Sequence, residues 1–243
     1  MIYRIISAEI LKLRRSHIVI VLIILPILSV IIGCTNFYFN QGVLQKEWYS
    51  LWTQVGLFYS EFFLPILIAI CCGYICRLEH LNRNWNKVMT TPTPASSVFI
   101  GKLIVVSFII IIVQIFFFIL YFIAGRFFGF STSFPRIISS WVLKGCLASI
   151  TIASLQLGLS MAIRSFAAPI GISLCGAFIG LGMYVVKAGM IFPYSLLTIG
   201  MSALSAENMT ASMSVLFFMS NIIFIILFSS ISITRLKKVD VKS

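Results

Sequence analysis

The sequence predicts an all-α integral membrane protein with six transmembrane helices, an N-terminal interfacial amphipathic helix and a short cytoplasmic helix between spans 2 and 3. Three observations carry that prediction. Of the 243 residues, 60% are apolar or aromatic and only 10% are charged, and the mean hydropathy is +1.09, an excess that no water-soluble core requires. Six stretches of about 20 apolar residues are each long enough to cross a hydrocarbon layer of roughly 30 Å. None of them alternates as a barrel strand does, and backbone in lipid must satisfy its own hydrogen bonds, so the stretches read as helices.

The segment before the first span, MIYRIISAEILKLRRS (residues 1–16), places Ile2, Ile6, Ile10 and Leu13 at helical spacing. It reads as a helix lying in the membrane interface, with Arg14 and Arg15 near lipid phosphates. Ile31-Ile32-Gly33-Cys34 resembles a lipoprotein cleavage box, but an amphipathic helix ahead of the apolar run favours an uncleaved first span. The predicted spans cover residues 18–37, 55–76, 98–124, 139–163, 167–186 and 213–233.

Between spans 2 and 3 runs a polar stretch, RLEHLNRNWNKVMTTPTPASS (residues 77–97). Leu78, Leu81, Trp85, Val88 and Met89 share one helical face, opposite Glu79, Arg83 and Lys87. Pro92 stops this helix, and the Thr-Pro-Thr-Pro run forces an extended turn. Such an element suits a docking surface for a soluble motor; it equally suits an interfacial helix that caps two spans. The connection of residues 188–212 is largely apolar, with Pro193 and Glu207, and is expected to fold back into the membrane margin as short helices, either as an outer gate or as a passive loop.

Orientation follows from the basic residues. With the N-terminus cytoplasmic, 13 of the 18 lysines and arginines fall on the inner side, leaving Lys46, Arg126, Arg136, Lys144 and Lys187 outside; both termini are therefore expected in the cytoplasm. The net charge of +12 serves topology and contact with anionic lipid. A nucleic-acid partner is excluded, because the charges lie on loops and no soluble domain exists to hold a duplex. The six cysteines, Cys34, Cys71, Cys72, Cys76, Cys146 and Cys175, sit in or at the ends of spans, which argues for helix packing over a disulfide framework or a metal site.

The chain carries no GxxxxGK[ST] sequence and no HExxH motif, so it is expected to bind no cofactor and to catalyse no reaction. Glu79 and His80 are adjacent on a helix and point about 100° apart, too far to act on one proton. Polar residues inside spans are candidates for a substrate path or a helix seam: Glu61, expected near the outer end of span 2 and paired with Arg126 or Lys144, and the deeper Gln114, Gln156 and Asn221. With no acid or histidine expected at mid-depth, a proton-coupled carrier is disfavoured. Gly176 and Gly180 form a small-xxx-small match in span 5.

Taken together, SAEILKLRRS, the WYSLWTQVGLFYSEFFLPILIA approach to span 2, and RLEHLNRNWNKVMTTPTPASSVFIGKL resemble the permease subunits of ABC-2 type transporters, most of all the bacterial lantibiotic and bacteriocin self-protection branch. The resemblance covers the whole chain as a single transmembrane domain, residues 1–243. It implies an exporter of cationic antimicrobial peptides in the bacterial cell membrane, paired with a second copy or a sister permease. It also implies a separate cytoplasmic ATPase that holds ATP and Mg. Contact with that ATPase would fall on Glu9, Lys12 and Arg15 of the interfacial helix and on Glu79, Trp85, Met89, Thr90 and Pro92 of the coupling helix. Related permeases move lipids, polysaccharides or small drugs. The alternatives are a non-transporting sensor, for which the ATPase activity of a partner is dispensable, and a scaffold, which has no ATPase partner at all.

Overall fold

The computed structural model describes residues 2–14, 18–81, 93–206 and 208–238. Helix α1 (Ile2–Arg14) precedes the first span, α2 (Ile18–Phe39). The second span is built from α3 (Glu47–Phe58), a π-helical turn (Tyr59–Phe63) and α4 (Leu64–Leu81). Spans 3, 4 and 5 are α5 (Ala95–Phe127), α6 (Arg136–Ala162) and α7 (Ala167–Val185). A short turn (Gly189–Ile191) and α8 (Ser195–Met201) lead to the last span, α9 (Ala211–Lys238). Six helices are long and apolar enough to cross a membrane, and the described residues contain no strand; this is a multi-pass, all-α membrane protein.

The second and fourth spans form the centre, and the first, third, fifth and sixth surround them. The sequence explains the ranking. Helix α6 carries Ser149, Thr151, Ser154, Gln156 and Ser160, all buried; the serines are small enough to allow close helix approach, and Thr151 and Gln156 bond to Asn221 and Tyr194 of neighbouring segments. Helix α9 carries large apolar residues such as Ile222, Ile223 and Ile226 exposed on its surface, at no cost where the solvent is hydrocarbon.

Span 2 begins earlier than its apolar run suggests. It extends from Glu47 to Arg77 over 31 residues, about 46 Å of helix, so Glu61 lies about half-way along it rather than near its outer end. The polar letters of residues 47–54 hide this in sequence, yet Trp48, Leu51 and Trp52 are buried there. The Trp52 Nε1–H donates to the Met201 carbonyl at 2.8 Å and the Tyr121 hydroxyl donates to the Trp48 carbonyl at 2.7 Å. Pro65 accounts for the π turn: it has no N–H to offer the carbonyl of Glu61, and its ring crowds that carbonyl. The chain widens instead, and the Leu64 N–H reaches back to Tyr59.

The connection after α7 goes deeper than the expected membrane margin. Leu196, Leu197, Thr198 and Met201 of α8 are fully or almost fully buried, consistent with irregular backbone being tolerated at membrane depth only inside protein. The glycine pair of span 5 makes the room. A Cβ on Gly176 would stand 2.6 Å from the Tyr194 ring, and one on Gly180 would stand 2.9 Å from the Ser195 nitrogen.

Helix α1 lies along α5, but not on the expected stripe. Ile6 and Leu13 pack against the core, whereas Ile2 and Ile10 are 40% and 48% exposed. At an interface, lipid covers apolar side chains as well as protein does, so the apolar stripe is shared between the two and the polar edge carrying Glu9 turns inward.

Replacing Gly180 by leucine is expected to lower the thermal midpoint of the detergent-purified protein, at a cost of about 1–3 kcal/mol. Gly182→Leu, where a Cβ meets open space, is expected to change stability by less than about 0.5 kcal/mol. Equal midpoints for the two variants would contradict the buried seat of α8.

Candidate functional site

At the face that carries both termini, four charges close into a ring. Glu9 from α1, Glu79 from the end of α4 and Lys102 from the second turn of α5 are buried, at 4%, 2% and 0% exposure; Lys12 of α1 completes the set at the rim. Lys102 Nζ donates to Glu9 Oε1 at 2.9 Å and to Glu79 Oε1 at 2.7 Å. Lys12 Nζ donates to the same two oxygens at 2.8 and 2.5 Å. Lys102 also reaches the Ile75 carbonyl at 3.3 Å. These are the ion pairs among the described residues.

The local sequence produces this arrangement simply. Glu9 and Lys12 are one helical turn apart and so face the same way. Gly101, immediately before Lys102, lets α1 approach, since a Cβ there would stand 2.7 Å from Ile5 Cγ2. The ring is electrically neutral, two ammonium groups against two carboxylates, which is the condition for holding charge at such depth. Burial opposes the ionisation of Glu79, but the ammonium groups of Lys102 and Lys12 outweigh it and hold the carboxyl below the usual carboxylate range. His80, the next residue, has its Nε2 2.8 Å from the Ser160 carbonyl, whereas Glu79 accepts from Lys12 and Lys102.

Of the residues read from sequence as an ATPase contact, the structure thus brings Glu9, Lys12 and Glu79 together. Arg15, Trp85, Met89, Thr90 and Pro92 lie outside the described residues. Lys102 was missed as a site residue, being counted only among inner-side charges. The signal that marks it is a lone lysine a turn inside an otherwise apolar span, a placement that is costly unless paired.

The intramembrane candidates do not form one path. Glu61 is buried and accepts hydrogen bonds from Thr198 of α8 at 2.5 Å and from Ser60 at 3.3 Å. The expected pairing with Arg126 or Lys144 is not made; the Arg126 guanidinium sits over the Phe122 ring instead. The half-way position of Glu61 also removes the ground on which a proton-coupled carrier was disfavoured, since an acid does stand deep in a span. Gln156 Nε2 donates to the Tyr194 hydroxyl at 2.5 Å, tying α6 to the start of α8. Asn221 of α9 accepts from Thr151 of α6 at 2.6 Å. Gln114 is fully buried with no partner for its amide among the described residues. Cys71, Cys72 and Cys76 are free, buried thiols in the core, and no metal-ligand cluster occurs among the described residues.

Six spans, four of them around a buried central pair, with a helix lying across their base, define a multi-pass membrane subunit. Residues 5–180 match the family described as ABC-2 family transporter protein. The chain belongs to that family, and so is a membrane transporter subunit. No curated protein matches it.

Lys102→Met removes the buried cation and leaves the two carboxylates with Lys12 at the rim as their shared partner, a change expected to cost about 3–5 kcal/mol and to abolish hydrogen-exchange protection of the α1 amides. The quadruple variant Glu9→Gln, Lys12→Gln, Glu79→Gln, Lys102→Met, in which the ring carries no charge, recovers part of it. The pH dependence has a definite sign. The pKa of Glu79 is lowered by folding, so its contribution is complete above the ordinary carboxylate value of about 4.3 and is lost as pH falls through the folded value. Protection factors for α1 are therefore expected to hold to mild acidity and fall in stronger acid. Protection unchanged by Lys102→Met would contradict a supporting role for the ring.

Proposed function

We propose that this chain is the membrane-spanning subunit of an ATP-driven exporter, with ATP and Mg held by a separate cytoplasmic ATPase. The observation that carries the reading is the buried ring, which joins the interfacial helix to the bases of spans 2 and 3. A push on α1, or on residues 82–92 that connect those spans, reaches both spans through Glu9, Glu79 and Lys102. Buried ion pairs are well suited to this task because they resist separation, one partner being costly to leave behind. The spans then rock between states that the nucleotide-bound and nucleotide-free ATPase favour differently.

The bias of basic residues supports cytoplasmic termini and a cell-membrane location. A second copy or a sister permease completes the membrane part, in which residues 1–243 act as one domain, residues 77–97 as the coupling segment and residues 188–212 as the outer connection. Arg15, Trp85, Met89, Thr90 and Pro92 provide the ATPase contact together with the outer edge of the ring. Glu61, Gln114, Gln156 and Asn221 set the seam along which the spans rearrange. The cargo is a cationic antimicrobial peptide expelled from the membrane, a reading supported by the likeness to the self-protection branch.

Gentle purification of the tagged protein from its native membrane is expected to bring down a stoichiometric polypeptide with a Walker motif, and Trp85→Ala is expected to reduce that yield and peptide resistance together. Recovery without any ATPase, under conditions that preserve a known complex, would overturn the exporter reading. Survival of both ATPase binding and resistance in Trp85→Ala would overturn the docking role of residues 82–92.

A further inference from the structure

On the face opposite the termini, a cavity of about 390 Å³ opens between the start of α3, the start of α6 and the chain that follows α8. Its size falls in the range of small-ligand sites. Lys46 lines it, with Tyr49 and Ser50 on one side, Trp141 opposite, and Ser205 and Asn208 from the connection. Lys46 is the single charged residue among the described residues lining it; Glu207, which follows Ala206 in the chain, lies outside the described residues. The Lys46 ammonium has no ion-pair partner among the described residues.

The neighbouring acid is turned away. Glu47 adopts a left-handed backbone, φ 31°, a conformation that costs a non-glycine residue free energy and persists only when its surroundings enforce it. Its carboxylate accepts from the Ser131 hydroxyl and the Thr132 amide, both at 3.1 Å, and from the Thr132 hydroxyl. The corner therefore presents Lys46 to the cavity while Glu47 is consumed by the loop that precedes α6. Ser50 Oγ accepts from the Lys46 backbone N–H at 3.0 Å, which fixes the lysine backbone above the first turn of α3. The Tyr49 and Trp141 rings meet edge to face at 6.1 Å, an amphipathic wall of the kind that sits at headgroup level.

We propose that this cavity binds the phosphate of an anionic phospholipid headgroup, with Lys46 as the charge that selects it. An ammonium with no ion-pair partner among the described residues, set among hydroxyl and amide groups, complements a phosphodiester oxygen, and the position at the ends of spans 2 and 4 puts it where headgroups lie. The same charge disfavours a cationic peptide, so the site is separate from the proposed cargo path and stands whether or not that export reading holds.

Native mass spectrometry of the intact, detergent-purified chain with equal dioleoyl phosphatidylglycerol and dioleoyl phosphatidylcholine tests it. The wild type is expected to retain phosphatidylglycerol preferentially, and Lys46→Gln to lose that preference by about tenfold. Lys46→Arg, which keeps the charge, and Lys187→Gln, at a charge that does not line the cavity, are expected to keep it. Equal retention of the two lipids by the wild type overturns the proposal. So does preference that survives Lys46→Gln, or full displacement of phosphatidylglycerol by inorganic phosphate, which would assign the site to a free anion.

Discussion

Two ammonium groups and two carboxylates meet inside the base of this helical bundle, and the positions of three helices depend on their staying together. Each charge taken alone would be expensive to hold there. Lys102 is held by Glu9 and Glu79, and those two acids are in turn held by Lys102 and Lys12. The ring does more than fasten α1. It joins the end of span 2 and the beginning of span 3, which the chain connects through residues 82–92, to the interfacial helix.

A second constraint works at mid-depth. Pro65 removes one helical hydrogen bond, the π turn follows, and Glu61 is left facing Thr198 of α8. The glycines of α7 clear a seat for the same re-entrant segment, and Trp52 fastens its far end. The opposite half of the molecule is thus organised around α8 in the way the terminal half is organised around Lys102. Gln156 ties α6 to the start of the re-entrant segment through the Tyr194 hydroxyl.

Much of the architecture was legible because bilayer thickness turns apolar length into helix count. The six spans, the amphipathic start and the inward fold of the connection before span 6 all follow from that rule. What escaped were features set by which neighbour a polar group meets. The polar letters of residues 47–54 shortened span 2 on paper because hydropathy averages cannot tell a polar residue facing protein from one facing water, and this misplaced Glu61. Lys102 looked like one more interior-side charge until α1 supplied its partner from 93 residues away. The apolar stripe on α1 was visible, but not its division between lipid and protein.

The most direct test of the account is a cross-link. An ideal Cβ at Gly101 would stand 3.4 Å from the Ile5 Cβ, near the separation that a disulfide spans, so Ile5→Cys with Gly101→Cys, in a background with Cys34 and Cys175 replaced by serine, can tie α1 to α5. If the ring makes these helices one moving body, oxidation leaves ATP-driven export from native membrane vesicles unchanged, because the bond fixes only what is already fixed. Export that stops on oxidation and returns on reduction would show that α1 slides on α5 during the cycle, contradicting the central role assigned to Lys102.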